Sequence, residues 1–131
     1  MKKLKDSEII RKFPDIYGVP PFDPMKSLMC FGFDCEEGWY PLLLKLSEDI
    51  QKILDENNDV EIRVTQVKEK YGELAYYLME QGNNEAIAKI DKLVDDVENQ
   101  STKICELCGE SGSLVKVGNW WMTRCEKCLK S

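Results

Sequence analysis

The sequence predicts an α+β fold: two amphipathic helices on a small antiparallel β-hairpin sheet, followed by a C-terminal cysteine module of zinc-ribbon or treble-clef type. Three observations predict it. Apolar residues recur at helical spacing from Trp39 to Leu54 and again from Ile87 to Ile104. Between these stripes Val60, Ile62 and Val64 alternate with Glu61, Arg63 and Thr65, the period of a half-buried strand. Beyond them, four of the six cysteines fall in two matched pairs, Cys105 with Cys108 and Cys125 with Cys128. The expected division is an N-terminal helix and proline-rich segment over 1–27, an α+β core over 28–103 and the cysteine module over 104–131.

In chain order, a short helix is expected around Ser7–Lys12. Residues 14–26 hold four of the five prolines, which lack a backbone N–H and push their predecessors out of the helical region. An extended connector is expected there, covering the core through Ile16, Tyr17 and Phe22. Met29, Phe31 and Phe33 then alternate with Leu28, Cys30 and Gly32, which suits a brief strand. Asp34 with Glu37 reads as a capping box ahead of the first long helix. Pro41 sits late for that start, so a beginning near Tyr40 with a separate turn over 35–39 is the other reading.

Trp39, Leu42, Leu43, Leu46, Ile50, Ile53 and Leu54 form the buried stripe of this helix, which Asn57-Asn58-Asp59 stops. The strand VEIRVTQV should pair with ELAYYLM through a turn over Lys68–Gly72. Residues 81–84, QGNN, open the second long helix, whose stripe runs Ile87, Ile90, Val94, Val97, Ser101, Ile104. That stripe runs into the first cysteine pair: unbroken, the helix fixes the module rigidly to the body, and if it breaks, Ser101-Thr102 is the place.

The cysteine pairs are separated by sixteen residues, C-x2-C-x16-C-x2-C. Two residues between thiolates let one backbone turn aim both sulfurs at one point about 2.3 Å away, and four sulfurs complete a tetrahedral site. One structural Zn²⁺ held by Cys105, Cys108, Cys125 and Cys128 is the expectation, because four protein ligands leave no open position for chemistry. Gly109 suits the turn after the first pair, and Gly112 and Gly118 delimit a hairpin. The second pair, CEKC, lacks such a glycine. A short terminal helix there makes the module treble-clef-like; a second turn makes it a ribbon.

The formal net charge is −6, and residues 34–100 carry seventeen acidic against seven basic groups. Such a surface repels phosphate backbones and disfavours indiscriminate nucleic-acid binding. No apolar run reaches the length of a membrane span, and the first residues lack the apolar stretch of a secretory signal. The expected setting is the cytoplasm, where thiols stay reduced.

Outside the metal ligands, Cys30 and Cys35 are expected to be buried small side chains. Cys35 at a helix start is the candidate for a small enzyme's nucleophile, and Glu36-Glu37 reads more simply as helix capping than as a catalytic carboxylate pair. With no histidine, a cysteine–histidine dyad is excluded. Trp120 and Trp121 project to opposite faces of a strand: one can cover the module, and the other should be exposed or meet the body. Lys68, Lys70, Tyr71, Tyr76 and Tyr77 place basic and aromatic groups on one hairpin, a combination that stacks bases and is equally an ordinary hairpin face.

Taken together and in order, FGFDCEEGWYPLL, VKEKYGELAYYL and CELCG…WWMTRCEKC resemble an uncharacterised group of small proteins of bacteriophages and prophages, over about residues 30–128. The resemblance implies a zinc-bearing accessory protein acting on host machinery or host immunity, and supplies no catalytic residues. The function expected is binding and inhibition of a host protein, for example a CRISPR effector. The alternatives are a nucleic-acid or nucleotide-signal binding protein and the Cys35 enzyme.

Overall fold

The computed structural model describes residues 5–25 and 27–130. Residues 1–4, Lys26 and Ser131, parts of the expected N-terminal segment, connector and module, lie outside the described residues. The architecture is α+β, with a three-stranded sheet, a separate two-stranded hairpin and helices at both termini.

Helix α1 (Asp6–Lys12) ends because Pro14 follows, leaving Phe13 at φ −125° and ψ 67°. The expected extended connector is corrected here. Pro14 starts a second short helix, α2 (Pro14–Tyr17), because at the first helical position its missing N–H costs nothing and its fixed φ is already suitable. Ile16 and Tyr17 are fully buried, and Phe22 packs against the core from the irregular stretch that follows.

Met29–Phe31 is a 3-10 turn rather than the expected strand, and only β1 (Phe33–Asp34) is extended. β1 pairs in parallel with Val67 and Lys68 of β2 (Val60–Lys70), so the sheet is mixed rather than antiparallel throughout. β2 then pairs antiparallel with β3 (Glu73–Gly82) in the order β1-β2-β3, with a bulge between Val64 and Gln66. The hairpin turn is only Tyr71-Gly72, both at positive φ, 54° and 84°. This left-handed pair suits the right-handed twist of long strands and lets them run further than the sequence pattern suggested.

Asp34 lies in β1 and caps no helix, which corrects the capping-box expectation. The other reading holds: Glu37–Trp39 is a separate 3-10 turn, and α3 (Tyr40–Glu56) starts with Pro41 in its first turn. Trp39, Leu43, Leu46 and Ile50 are buried; Leu42, Ile53 and Leu54 pack at the margin. α4 (Asn84–Ser101) is capped by the Asn83 side chain, which accepts from the amides of Glu85 and Ala86. Of the two alternatives the helix is broken, at Ser101-Thr102, with the hydroxyls of Ser101 and Thr102 bonding back to the carbonyls of Glu98 and Asn99.

α4 lies along β3, and α3 packs against α4 while also meeting α1 and α2. One core results, in which the Tyr76 hydroxyl donates to that of Tyr17 at 2.9 Å, Tyr17 bonds Ser47 at 2.6 Å, and Ser47 donates to the Leu43 carbonyl at 2.7 Å. The chain of hydroxyls ends on a helix carbonyl, so these buried polar groups are satisfied. Among the described residues no helix is long and apolar enough to cross a membrane.

α4 also covers the start of the edge strand: the Leu74 amide donates to Ser101 Oγ at 2.9 Å and the Tyr76 amide to Glu98 Oε2 at 3.0 Å. Further along, one carboxyl oxygen of Glu80 is buried without a hydrogen-bond partner. Burial, a hydrogen bond with Asp91 and the repulsion of that carboxyl raise the Glu80 pKa from 4.5 to about 7. The folded state therefore binds the proton more tightly, and this stabilisation is present below pH 4.5 and lost as pH rises through about 7. Glu80→Gln should raise the melting temperature at pH 8 and lose that advantage by pH 4. Solvent screening at this partly exposed residue limits the gain to about 1 kcal/mol. Melts at the two pH values check it.

Candidate metal centre

The cysteine module comprises a turn over Cys105–Gly109, a hairpin of β4 (Ser113–Val117) and β5 (Trp120–Arg124), and the short helix α5 (Glu126–Leu129). Of the two forms expected, this order is the treble-clef-like one. The first turn closes through Gly109 N to Cys105 O at 2.9 Å, with Gly109 at φ +84°, and Cys105 N donates to Glu110 O at 2.7 Å. On the other side Cys125 takes the cap position of α5 and its sulfur accepts from the Cys128 amide at 3.4 Å.

These turns bring the four predicted sulfurs together: all lie within 4.8 Å of one another, and Cys108 Sγ is 3.6 Å from Cys125 Sγ. A tetrahedron with metal–sulfur bonds of about 2.3 Å has edges of about 3.8 Å, so the spacing fits a single ion. It is far too long for a disulfide, and none of the six cysteines is disulfide-bonded. Burial opposes ionisation of Cys105, but amides of Cys108, Cys125 and Leu107 aimed at it outweigh burial and bring its pKa down to about 6. Cys128 is instead pushed up to about 12, first by hydrogen bonding with Cys125 and then with Cys105. Crowded thiols shed all their protons only when a cation takes the protons' place.

The first turn is docked on the body through the segment that follows β1. Gly38 N donates to Glu106 O at 2.7 Å, Glu36 N to Glu106 Oε2 at 3.0 Å, and the fully buried Trp39 indole to Ile104 O at 2.9 Å. A β-carbon on Gly38 would lie 2.3 Å from the carbonyl oxygens of both Cys105 and Glu106, so only glycine fits. The other Glu106 oxygen pairs with Arg124 Nη1 at 3.1 Å, a pair whose side chains are 7% and 16% exposed. The β2–β3 turn makes the second contact. Thr123 Oγ1, fully buried, donates to Gly72 O at 2.6 Å, and a side chain on Gly72 would meet Leu114 and the Met122 backbone. Sequence reasoning missed this joint. Its trace in the chain is the glutamate following Cys105 and the arginine preceding Cys125, opposite charges each beside a ligand.

The other candidate residues are placed as follows. Trp120 and Trp121 are 74% and 43% exposed, so neither belongs to the core, and Lys116 Nζ stands 5.9 Å from the centre of the Trp121 ring. Tyr71 projects from the hairpin tip with Lys70 Nζ 6.0 Å from its ring. Lys68 and Lys70 share the outer face of the sheet with Tyr77, away from the buried Val67 and Tyr76. Cys30 is exposed, contrary to the expectation of burial, and Cys35 is partly buried. Cys35 does not begin a helix. Burial first, then the carboxylates of Glu106, Asp34, Glu36 and Asp6, hold its thiol well above the ordinary range, which works against a thiolate nucleophile at neutral pH. No protein-family model, no curated protein and no solved structure matches the chain.

Proposed function

We propose that the protein is a phage-type accessory interaction protein that binds and inhibits a host protein in the host cytoplasm, a CRISPR effector or another defence component being the form to test first. The observation that carries the reading is the pair of outward-facing tryptophans on a hairpin held by the metal centre, with Trp120 74% exposed. Large exposed aromatics on a rigid support are efficient anchors for protein partners. A net charge of −6 favours a protein over a nucleic-acid backbone.

The ion proposed for the four sulfurs is Zn²⁺, since an all-thiolate tetrahedral set suits zinc. When bound it would supply no reaction; it would offset half of the thiolate charge and fix the two turns. Cys105, Cys108, Cys125 and Cys128 would hold it, while Arg124 and neighbouring lysines offset the residual negative charge of the thiolate set.

A tagged copy in a host lysate at physiological salt should retain one specific host protein, and Trp120→Ala should release it. Recovery of background proteins alone would count against the reading. A second reading, nucleic-acid or nucleotide-signal binding, is favoured by the shared face of Lys68, Lys70 and Tyr77 beside Tyr71. Absorbance at 260 nm co-purifying with the protein, or RNA shifts that weaken steeply with salt, would support it instead.

A further inference from the structure

Where the first metal-binding turn meets β1 and β5, a groove of about 390 Å³ opens between body and module. Its lining includes four acidic residues, Asp34, Glu36, Glu69 and Glu106, against one basic residue, Arg124, together with Trp120 and Trp121 of β5. Arg124 is already engaged by Glu106. Asp34 and Glu36 are exposed, so the groove presents negative charge beside Trp120, which is 74% exposed. From β4, the Lys116 ammonium stands 5.9 Å from the Trp121 ring centre, so an indole here already has a cation beside it. Three of these carboxylates, Glu106, Asp34 and Glu36, act after burial to raise the pKa of Cys35, the mark of a negative local field.

We propose that this groove receives an arginine side chain from a basic surface segment of the protein's partner. The inference rests on the protein-binding reading above and names its recognition chemistry. A guanidinium is flat and delocalised, so it stacks on an indole while its N–H fork addresses a carboxylate at the rim. Phosphate is disfavoured at the same place, since it would face several carboxylates.

The test uses the full-length, metal-loaded protein and a capped octapeptide of alternating glycine and arginine, with an arginine-to-glutamine peptide for comparison. The indole N–H signals of Trp120 and Trp121 should shift saturably in NMR spectra, while that of buried Trp39 stays in place. The glutamine peptide should leave all three unmoved. The double variant Asp34→Asn/Glu36→Gln should bind the arginine peptide at least tenfold more weakly with its melting temperature unchanged. Trp120→Ala, at an exposed position, should weaken binding independently.

The inference is overturned by no saturable shift, by equal shifts with both peptides, or by full affinity in the double variant. The two proposals fail separately. A captured host protein that the double variant still retains in full would sink the groove and leave the protein-binding reading standing. Arginine-peptide binding with no captured host protein would do the reverse.

Discussion

Stripping the metal, or replacing Cys125 by serine, should unfold the cysteine module and lower the melting temperature of the whole chain by on the order of 10 °C or more. Binding at such sites is worth about 10 kcal/mol or more of folding free energy, because the unfolded chain holds no preformed cluster of sulfurs. The effect should spread beyond the module. The Trp39 indole donates to Ile104 O and the Gly38 amide to Glu106 O, so loss of the first turn removes partners from the head of α3. Elemental analysis should find one metal ion per chain, and fluorescence of buried Trp39 should report the body loosening when a chelator is added. Folded protein free of transition metal, with a melt insensitive to chelator, would contradict the assignment.

The second large effect is expected at Gly38. Alanine there would set a methyl group 2.3 Å from two backbone carbonyl oxygens, and backbone cannot swing aside as a flexible side chain can. A cost of about 2–4 kcal/mol is expected for Gly38→Ala, from overpacking and displacement of the docked turn. Gly118 is the comparison: a β-carbon there meets nothing within 4 Å, and only its φ of +62° opposes substitution. Gly118→Ala should therefore cost only about 1 kcal/mol. Urea melts of the two variants, with metal content measured beside them, separate a steric clash from loss of the ion.

What could be read from the chain was what repeats locally. The stripes of α3 and α4, the alternation in β2 and the spacing of the four ligand cysteines each specify geometry within a few neighbours, and each has its counterpart in the structure. The place of the break after α4, though not the break itself, was legible: Ser101 and Thr102 compete for helix carbonyls through their own hydroxyls.

Most of the misreadings turn on distant partners, Pro14 being the local exception. Phe33 and Asp34 are extended because β2 lies beside them, a contact no period reveals in two residues. Asp34 has the side chain of a cap, yet it lies in that strand and the helix waits until Tyr40. Pro14 was weighed as a breaker, although the same ring is suited to a helix's first residue. The joint is the largest omission. Gly38, Gly72 and Glu106 look unremarkable in sequence, and their roles follow only from what the fold sets against them.

The placement of Ser101 and Glu98 over the beginning of β3 bears on how molecules of this protein behave at high concentration. An uncovered outer strand is a template on which further chains can lay themselves down, one after another, towards a fibril. Here a hydroxyl and a carboxylate from one helix turn already occupy the amides of Leu74 and Tyr76, so a newcomer finds no purchase at that end.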